Sequence, residues 1–535
     1  QNNEPTEAIQ YLKKAIKINP QSATSHFNMG NALQAKGSIR AAIENYAKAL
    51  KIKPIYAEAH TNMGVALKEN GDLTAAIKSH KESLKIDPNC AEAYYNLGNA
   101  LHKTGDLNAA IKVYKKAVKI LPDYAYAYKN MGISLHKSGD LDLAIVQYKR
   151  FLEIKPDDES ARAYKLHQQA HTCDWAAIEE DRNLIPSLGT LTQKITPFAI
   201  LAMEDDPRRH RLRSEVFTNA TWPQASLQLG LKPLQKPKRL RIGYFSADFY
   251  NHATMYLMAK VFEAHDPERF EIYAYSFGLH CNGEMRQRIM KAVDVFVDVT
   301  MTSDEDIALL ARQDEIDIAV DLKGFTEHSQ FGIFVHRAAP IQISYLGYPG
   351  TSGAACMDYL IADKVVIPKH LEPAYSESII HLPYSYQATD NARVISPLAT
   401  TKLEVGLPEQ GFVFCCFNSN YKISPTEFDI WMRLLAKVEG SVLWLLKSNK
   451  WAEHNLRSEA EYRGISGDRL VFANPAPNAE HLARHRLADL FIDTFNVNAH
   501  TTASDALWAG LPVVTKLGNG FAARVAGSLL TAIDL

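Results

Sequence analysis

The sequence predicts an α-helical solenoid followed by α/β, with two Rossmann-like domains facing a cleft. Three observations predict it. Pro20, Pro54, Pro88, Pro122 and Pro156 recur every 34 residues. Strand-like apolar runs alternate with helical patterns from residue 240 to 322, and a second such series runs from about 411 to 515. Loop-rich chain at about 383–410 separates the two series. The expected domains are a repeat array over 1–165, a helical linker over 166–237, and two α/β halves over 238–390 and 391–535.

The array repeats at more than its prolines. Gly30, Gly64, Gly98 and Gly132 keep the same step, as do Gly37, Gly71, Gly105 and Gly139, and Asn28, Asn62, Asn96 and Asn130. Within 89–122, Ala93, Leu97 and Leu101 mark one amphipathic helix and Ala110, Ile111, Tyr114 and Ala117 a second, with Gly105 between them. Pro122 ends the unit because it cannot continue a helix. This pattern resembles the tetratricopeptide repeat, with complete units from 21–54 to 123–156. Residues 1–20 read as the second helix of a further unit. An array entered in mid-unit exposes an apolar face, so more chain is expected before residue 1. The four asparagines fall at one pitch, where their carboxamides would either hold an extended peptide or cap neighbouring turns.

Composition excludes several classes. Lys+Arg is 59 and Asp+Glu 60 in 535 residues, a net charge of −1, which is not that of a non-specific nucleic-acid binder. The six cysteines form no C-x-x-C pair, so zinc ribbons are not expected, and their scatter suits a reducing compartment, the cytoplasm. No apolar run reaches 18 residues.

In the first α/β half, LRIGYFS (240–246), FEIYAYSF (270–277), DVFVDV (294–299) and IDIAVDL (316–322) read as strands. In the second, GFVFCCFN from 411, SVLWLLK (441–447), RLVFA (469–473), LFIDT (490–494) and PVVT (512–515) do. Open α/β sheets bind ligands beyond the carboxyl ends of their strands, so the loops after these runs should carry the chemistry.

Four loops are candidates. After LFIDT comes HTTASD, where His500, Thr501 and Thr502 open a helix and Asp505 follows one turn in. A helix N-terminus with free N–H groups suits a phosphate, and Asp505 suits sugar hydroxyls. A plain threonine cap is the competing reading. After GFVFCCF comes NSNYK, whose Lys422 can neutralise a diphosphate or lie solvated on the surface. After strand 240–246 comes DFYNHAT, where His252 is a base, a sugar contact or an ordinary cap. LGYPGTSG (346–353) follows IQISY as a tight loop. GNGFAA (518–523) is rejected as a dinucleotide site because no acid can follow at the needed distance. Asp304–Asp306 and Asp140–Asp142 sit at helix starts and give no metal site.

Taken together, the repeats with DFYNHAT, LGYPGTSG, FNSNYKI, APNAEH, HTTASDALWAG and LPVVT resemble the O-linked N-acetylglucosamine transferase family over essentially the whole chain, in the uninterrupted form of bacterial members. The resemblance implies a GT-B type glycosyltransferase: inverting transfer of N-acetylglucosamine from UDP-GlcNAc to Ser or Thr of proteins, with no metal and no cofactor beyond the donor. Protein acceptors would lie along the array at Asn28, Asn62, Asn96 and Asn130. Lys422, His500, Thr501 and Thr502 would hold the diphosphate and Asp505 the ribose. His481 would contact the nucleotide, with the backbone at Ala476 beside the uracil. Leu346 and Gly347 would face the sugar, and His252 would be the active-site histidine. Asn418, Ser419 and Asn478 would lie near the donor. Ser419 and Asn478 replace the Gln and Lys of the animal enzymes. The general base stays open between His252, Asp317, Asp321 and a donor phosphate oxygen. Family members continue past the final TAIDL with helices closing the second domain. The competing readings are a SPINDLY-type GDP-fucose transferase, a UDP-glucose user, and a catalytically silent peptide-binding scaffold.

Overall fold

The computed structural model describes residues 4–191, 193–223, 237–278, 282–397 and 400–535. The chain divides into two compact units, Gln1–Gln168 and Gln169–Leu535. Cys281 and most of the connector LKPLQKPKRL lie outside the described residues.

Among the described residues, the first unit's regular structure is all helix. A lone helix Glu4–Ile18 precedes four helix pairs, from Ala23–Ala35 with Ile39–Ile52 to Ala125–Lys137 with Leu141–Ile154. Each pair turns on a glycine with positive φ, such as Gly105 at 85°. The other glycine series permits close approach. A Cβ on Gly98 would stand 2.4 Å from the Tyr114 ring, so the paired helices touch backbone to ring. Asp72 and Asp106 cap the second helices by accepting from the Ala75 and Ala109 N–H groups.

The second unit holds two sheets, every neighbouring pair in them parallel. The first contains β1 (Leu240–Ser246), β2 (Phe270–Ser276), β3 (Val295–Asp298), β4 (Ile318–Asp321), β5 (Ile341–Ser344), β6 (Tyr359–Asp363) and β7 (Ser378–Leu382), in the order β3-β2-β1-β4-β5-β6-β7. The second contains β8 (Val413–Cys416), β9 (Val442–Leu446), β10 (Leu470–Ala473), β11 (Leu490–Ile492) and β12 (Val513–Val514), in the order β10-β9-β8-β11-β12. In both, the order reverses direction beside the first strand: between β1 and β4, and between β8 and β11. Apolar clusters cover both faces, as parallel sheets require.

The described residues of the segment expected as a linker, from Gln169 to 223, belong to the second unit. Trp175 donates to the Ile423 carbonyl at 3.2 Å, and buried Arg213 donates to the carbonyls of Leu188 and Ile185. Thr218 bonds the Ser352 carbonyl at 3.0 Å. The last helix, Val525–Thr531, reaches back to the first sheet, where Ser528 donates to Asp363 at 2.6 Å.

Candidate active site

In an open parallel sheet, the strand-end loops on either side of the order reversal diverge and leave a crevice. The second sheet puts NSNYK and HTTASD on those two loops. Lys422 ends a short 3-10 turn after β8, and its Nζ donates to the Asn498 carbonyl at 3.0 Å, 76 positions along the chain. That carbonyl lies just ahead of helix Thr501–Trp508, so the ammonium stands at the helix N-terminus. Burial pushes the Lys422 pKa down to about 8, against the attraction of Asp493. No side chain caps this helix, and the N–H groups of its first turn have no partner among the described residues. The place therefore combines a desolvated cation with a helix dipole.

Asp493 builds the loop that carries them. Its Oδ1 accepts from Asn418 Nδ2 at 3.0 Å, Thr494 N at 2.8 Å and Ala499 N at 2.7 Å, and its Oδ2 from Thr515 at 2.7 Å. Asn418 is buried in this network and takes the hydroxyl proton of Thr502 on its own Oδ1. Asn418 and the Thr502 proton are thus spent on holding the two loops together. Thr501 is half-buried and Ser419 exposed.

His500 turns its ring proton into the fold rather than toward a diphosphate. Its Nε2 faces the Ala522 carbonyl at 3.1 Å, so the ring proton sits there. Burial and the nearby Lys422 lower its pKa to about 3. The ring is neutral and Nδ1 carries a lone pair.

Asp505 also differs from an open carboxylate. It is buried and ion-paired through Oδ1 to Arg393, itself buried and stacked near the Trp508 ring. Its Oδ2 faces His481 Nε2 at 3.7 Å. Arg484 bonds His481 Nδ1, and burial with Arg484 holds the His481 pKa near 2, so this imidazole is neutral with its proton on Nε2. Ala476 and Asn478 are half-buried on the adjoining segment after β10. The chain between the two halves docks here too: Gln387 donates to the His500 carbonyl at 3.3 Å, and Thr389 bonds Ser504 at 3.0 Å.

The first sheet places its own residues at the reversal between β1 and β4. Asp248, after β1, takes Lys323, after β4, on both oxygens at 3.0 and 2.9 Å. Both side chains are about 5% exposed, so the pair is buried and self-neutralised. His252 caps helix Ala253–Ala264, its Nδ1 accepting the Thr254 N–H at 3.2 Å and lying 3.5 Å from Asp248. Because that N–H points at Nδ1, the ring proton lies on Nε2. Burial lowers its pKa, with Asp248 opposing and Lys323 assisting. With its Nδ1 lone pair taken by that N–H, the neutral His252 ring has its Nε2–H left to donate.

The two aspartates considered as bases are both committed. Asp317 stands at the amino end of β4, not its carboxyl end, and accepts from the Arg241 N–H at 2.8 Å. Four strand residues, roughly 13 Å at 3.3 Å each, separate it from the loops that carry the site. Asp321 is buried and accepts from the Lys323 and Gly324 N–H groups at 2.8 and 3.0 Å. Burial raises its pKa to about 6.

Leu346 and Gly347 follow β5. Leu346 holds φ at 67°, uncommon for a branched residue, and a Cβ on Gly347 would lie 2.2 Å from the Leu322 carbonyl oxygen. Only glycine lets this loop press against the β4 loop.

The asparagine series is less uniform than its spacing. Asn28 is exposed, Asn62 and Asn130 are half-buried, and Asn96 is buried. Asn62 and Asn130 donate at 2.8 and 2.7 Å to Asn31 and Asn99 of the preceding units. Sequence reasoning missed Lys323, Arg393, Asp493 and Asn498 as site builders. Lys323 alone carried a signal, as a cation directly after a strand.

Comparison with known proteins fits this geometry. Residues 224–400 and 388–535, more than half of the chain, match the model of glycosyl transferase family 41. Residues 1–139 match TPR repeats in successive segments, and 125–158 the tetratricopeptide repeat. The chain is 42% identical over 303 residues to a protein named probable UDP-N-acetylglucosamine–peptide N-acetylglucosaminyltransferase SEC of Arabidopsis thaliana, covering 56% of this chain and 31% of that one. It is 29% identical over 322 residues to the Arabidopsis thaliana protein of that name designated SPINDLY, covering 58% and 34%. The chain thus spans about a third of the length of these curated relatives. A solved mutant of the Thermobaculum terrenum O-GlcNAc transferase superimposes with a TM-score of 0.63 at 26% identity, over 90% of this chain and 86% of that one. The tetratricopeptide array, the paired parallel sheets and the matched family agree: this chain belongs to glycosyl transferase family 41.

Proposed function

We propose that the chain transfers N-acetylglucosamine from UDP-GlcNAc to Ser or Thr hydroxyls of proteins, with inversion and without a metal. The observation that carries this reading is the Lys422 ammonium on the Asn498 carbonyl, at the mouth of an uncapped helix. A departing nucleoside diphosphate gathers negative charge. Here a cation and the first-turn N–H groups are already aimed at one place, so no reorganisation is needed when that charge develops.

The remaining roles follow from which atoms are uncommitted. Asp505 Oδ2, the oxygen Arg393 does not take, accepts from the ribose, and the segment Ala476–Asn478 with His481 borders the uracil. His500 Nδ1 accepts from the donor, while Thr501 bonds phosphate. Leu346 and Gly347 border the sugar. His252 donates through Nε2 to the donor and does not take the acceptor proton. With Asp317 and Asp321 committed, the proton of the attacking hydroxyl goes to a donor phosphate oxygen. Acceptor proteins lie along the repeat array.

The test is transfer of label to a serine- and threonine-containing peptide library from UDP-GlcNAc, UDP-glucose and GDP-fucose in parallel, with and without chelator. Label from UDP-GlcNAc alone, unaffected by chelator, is expected. Label from GDP-fucose would replace this reading by the SPINDLY-type one. Retention of peptides with no label from any donor would leave a scaffold.

A further inference from the structure

The repeat array carries a second, longer period. On the second helix of each unit, positions 46, 80, 114 and 148 hold a ring that faces positions 31, 65, 99 and 133. Where that position is asparagine, Tyr46 and Tyr114 donate to Asn31 and Asn99 at 2.8 and 2.7 Å. Where it is Val65 or Ile133, His80 and the Tyr148 hydroxyl are buried with no hydrogen-bond partner among the described residues. Polar rungs and aliphatic steps therefore alternate along the array.

The Asn99–Asn130 rung differs from the others in its neighbours. Asn99 Oδ1 takes both Asn130 Nδ2 and the Tyr114 hydroxyl, which fills its two lone pairs. The Asn99 amide hydrogens and Asn130 Oδ1 remain uncommitted among the described residues. Beside them lies a groove of about 350 Å³ whose lining includes Lys68, His102, Lys103 and Ile133 and no acidic side chain. Lys68 and Lys103 have no ion-pair partner among the described residues. The neighbouring Glu69 carboxylate accepts from Gln34 at 3.0 Å, keeps its charge, and lies outside the groove's lining. His102 bonds Ser134 at 2.8 Å and is uncharged, burial and Lys137 both lowering its pKa.

We propose that this groove binds an extended acidic peptide segment of the acceptor protein, with Lys68 and Lys103 meeting a Glu or Asp side chain and the Asn99–Asn130 pair meeting its backbone. A carboxamide donor and acceptor side by side match one peptide unit, and two lysines in a lining with no carboxylate favour an anion. Ile133 offers an apolar step next to the rung. The inference rests on the reading that acceptors lie along the array, and it adds their charge preference.

The test immobilises the whole chain and selects from a random ten-residue peptide library with a central serine, then sequences the retained peptides. Enrichment of Asp and Glu by about threefold to tenfold is expected, as for two partly exposed ion pairs. Lys68→Gln with Lys103→Gln should abolish the enrichment, and Lys68→Glu with Lys103→Glu should invert it toward Lys and Arg. UDP-induced thermal shifts, read in parallel, confirm that each variant is folded. Retained peptides with the same acidic bias in wild type and both variants, or with no charge bias at all, would overturn the groove's assignment and leave the peptide-holding array standing. Retention of no peptide by a wild type that still responds to UDP would overturn both.

Discussion

The two α/β halves reach the same strand order around their first strand, yet they treat charge in opposite ways. In the first half, the crevice between β1 and β4 is closed by the Asp248–Lys323 pair, buried and neutral. In the second, the crevice between β8 and β11 holds Lys422, whose hydrogen-bond partner is a carbonyl. One half spends its cation on the fold, and the other, in the proposed function, leaves its cation for a ligand. The strand order alone makes two crevices. The pairing of charges is what sets the two crevices apart.

The comparison breaks most visibly through stability. Asp248→Ala leaves Lys323 buried and unpaired, a change that costs about 3–5 kcal/mol. Urea unfolding should show it, and Asp248→Ala combined with Lys323→Met should recover most of the loss. Lys422→Ala should do the reverse. Transfer should fall about 10²–10³-fold, or about 2.7–4 kcal/mol, while the melting temperature holds or rises because a desolvated charge is gone.

Acidity sharpens the contrast. The Lys422 pKa is lowered to about 8, so its charge is present below that pH and lost as pH rises through it. The profile of kcat/KM, which reports the free enzyme, should decline above about pH 8. Lys422→Arg should remove that limb if it retains activity. The smallest effect is expected from Thr502→Val, which removes the hydroxyl bonded to Asn418 and should cost about 0.5–1.5 kcal/mol in unfolding experiments.

Much of this was legible in the sequence, for physical reasons that differ from place to place. The 34-residue period is local, so helices and turns followed from it directly. HTTASD and NSNYK were legible because a strand run and a helix start bracket each of them. β6 and β7 escaped notice: Tyr359–Asp363 and Ser378–Leu382 are short runs set among loops, with no long helical pattern between them. Asp317 was considered as a base on its residue type alone; it precedes β4, which begins at Ile318, and so lies at the strand's amino end, away from the loops that carry the site. Lys323 and Arg393 act on partners 75 and 112 positions away, a distance that strand and helix periodicity does not span. The asparagine series showed the array's pitch. Its alternation depended on what stands three positions on, asparagine at 31 and 99 but Val65 and Ile133 between and beyond.

The central claim is that the second crevice is the anion site and that Lys422 defines it. Calorimetric titration of UDP into the wild-type chain and into Lys422→Ala tests it most directly. Saturable binding to the wild type and at least tenfold weaker binding to the variant are expected at pH 7, with Asp248-paired Lys323 unable to compensate. Equal UDP affinity in the two proteins would contradict it.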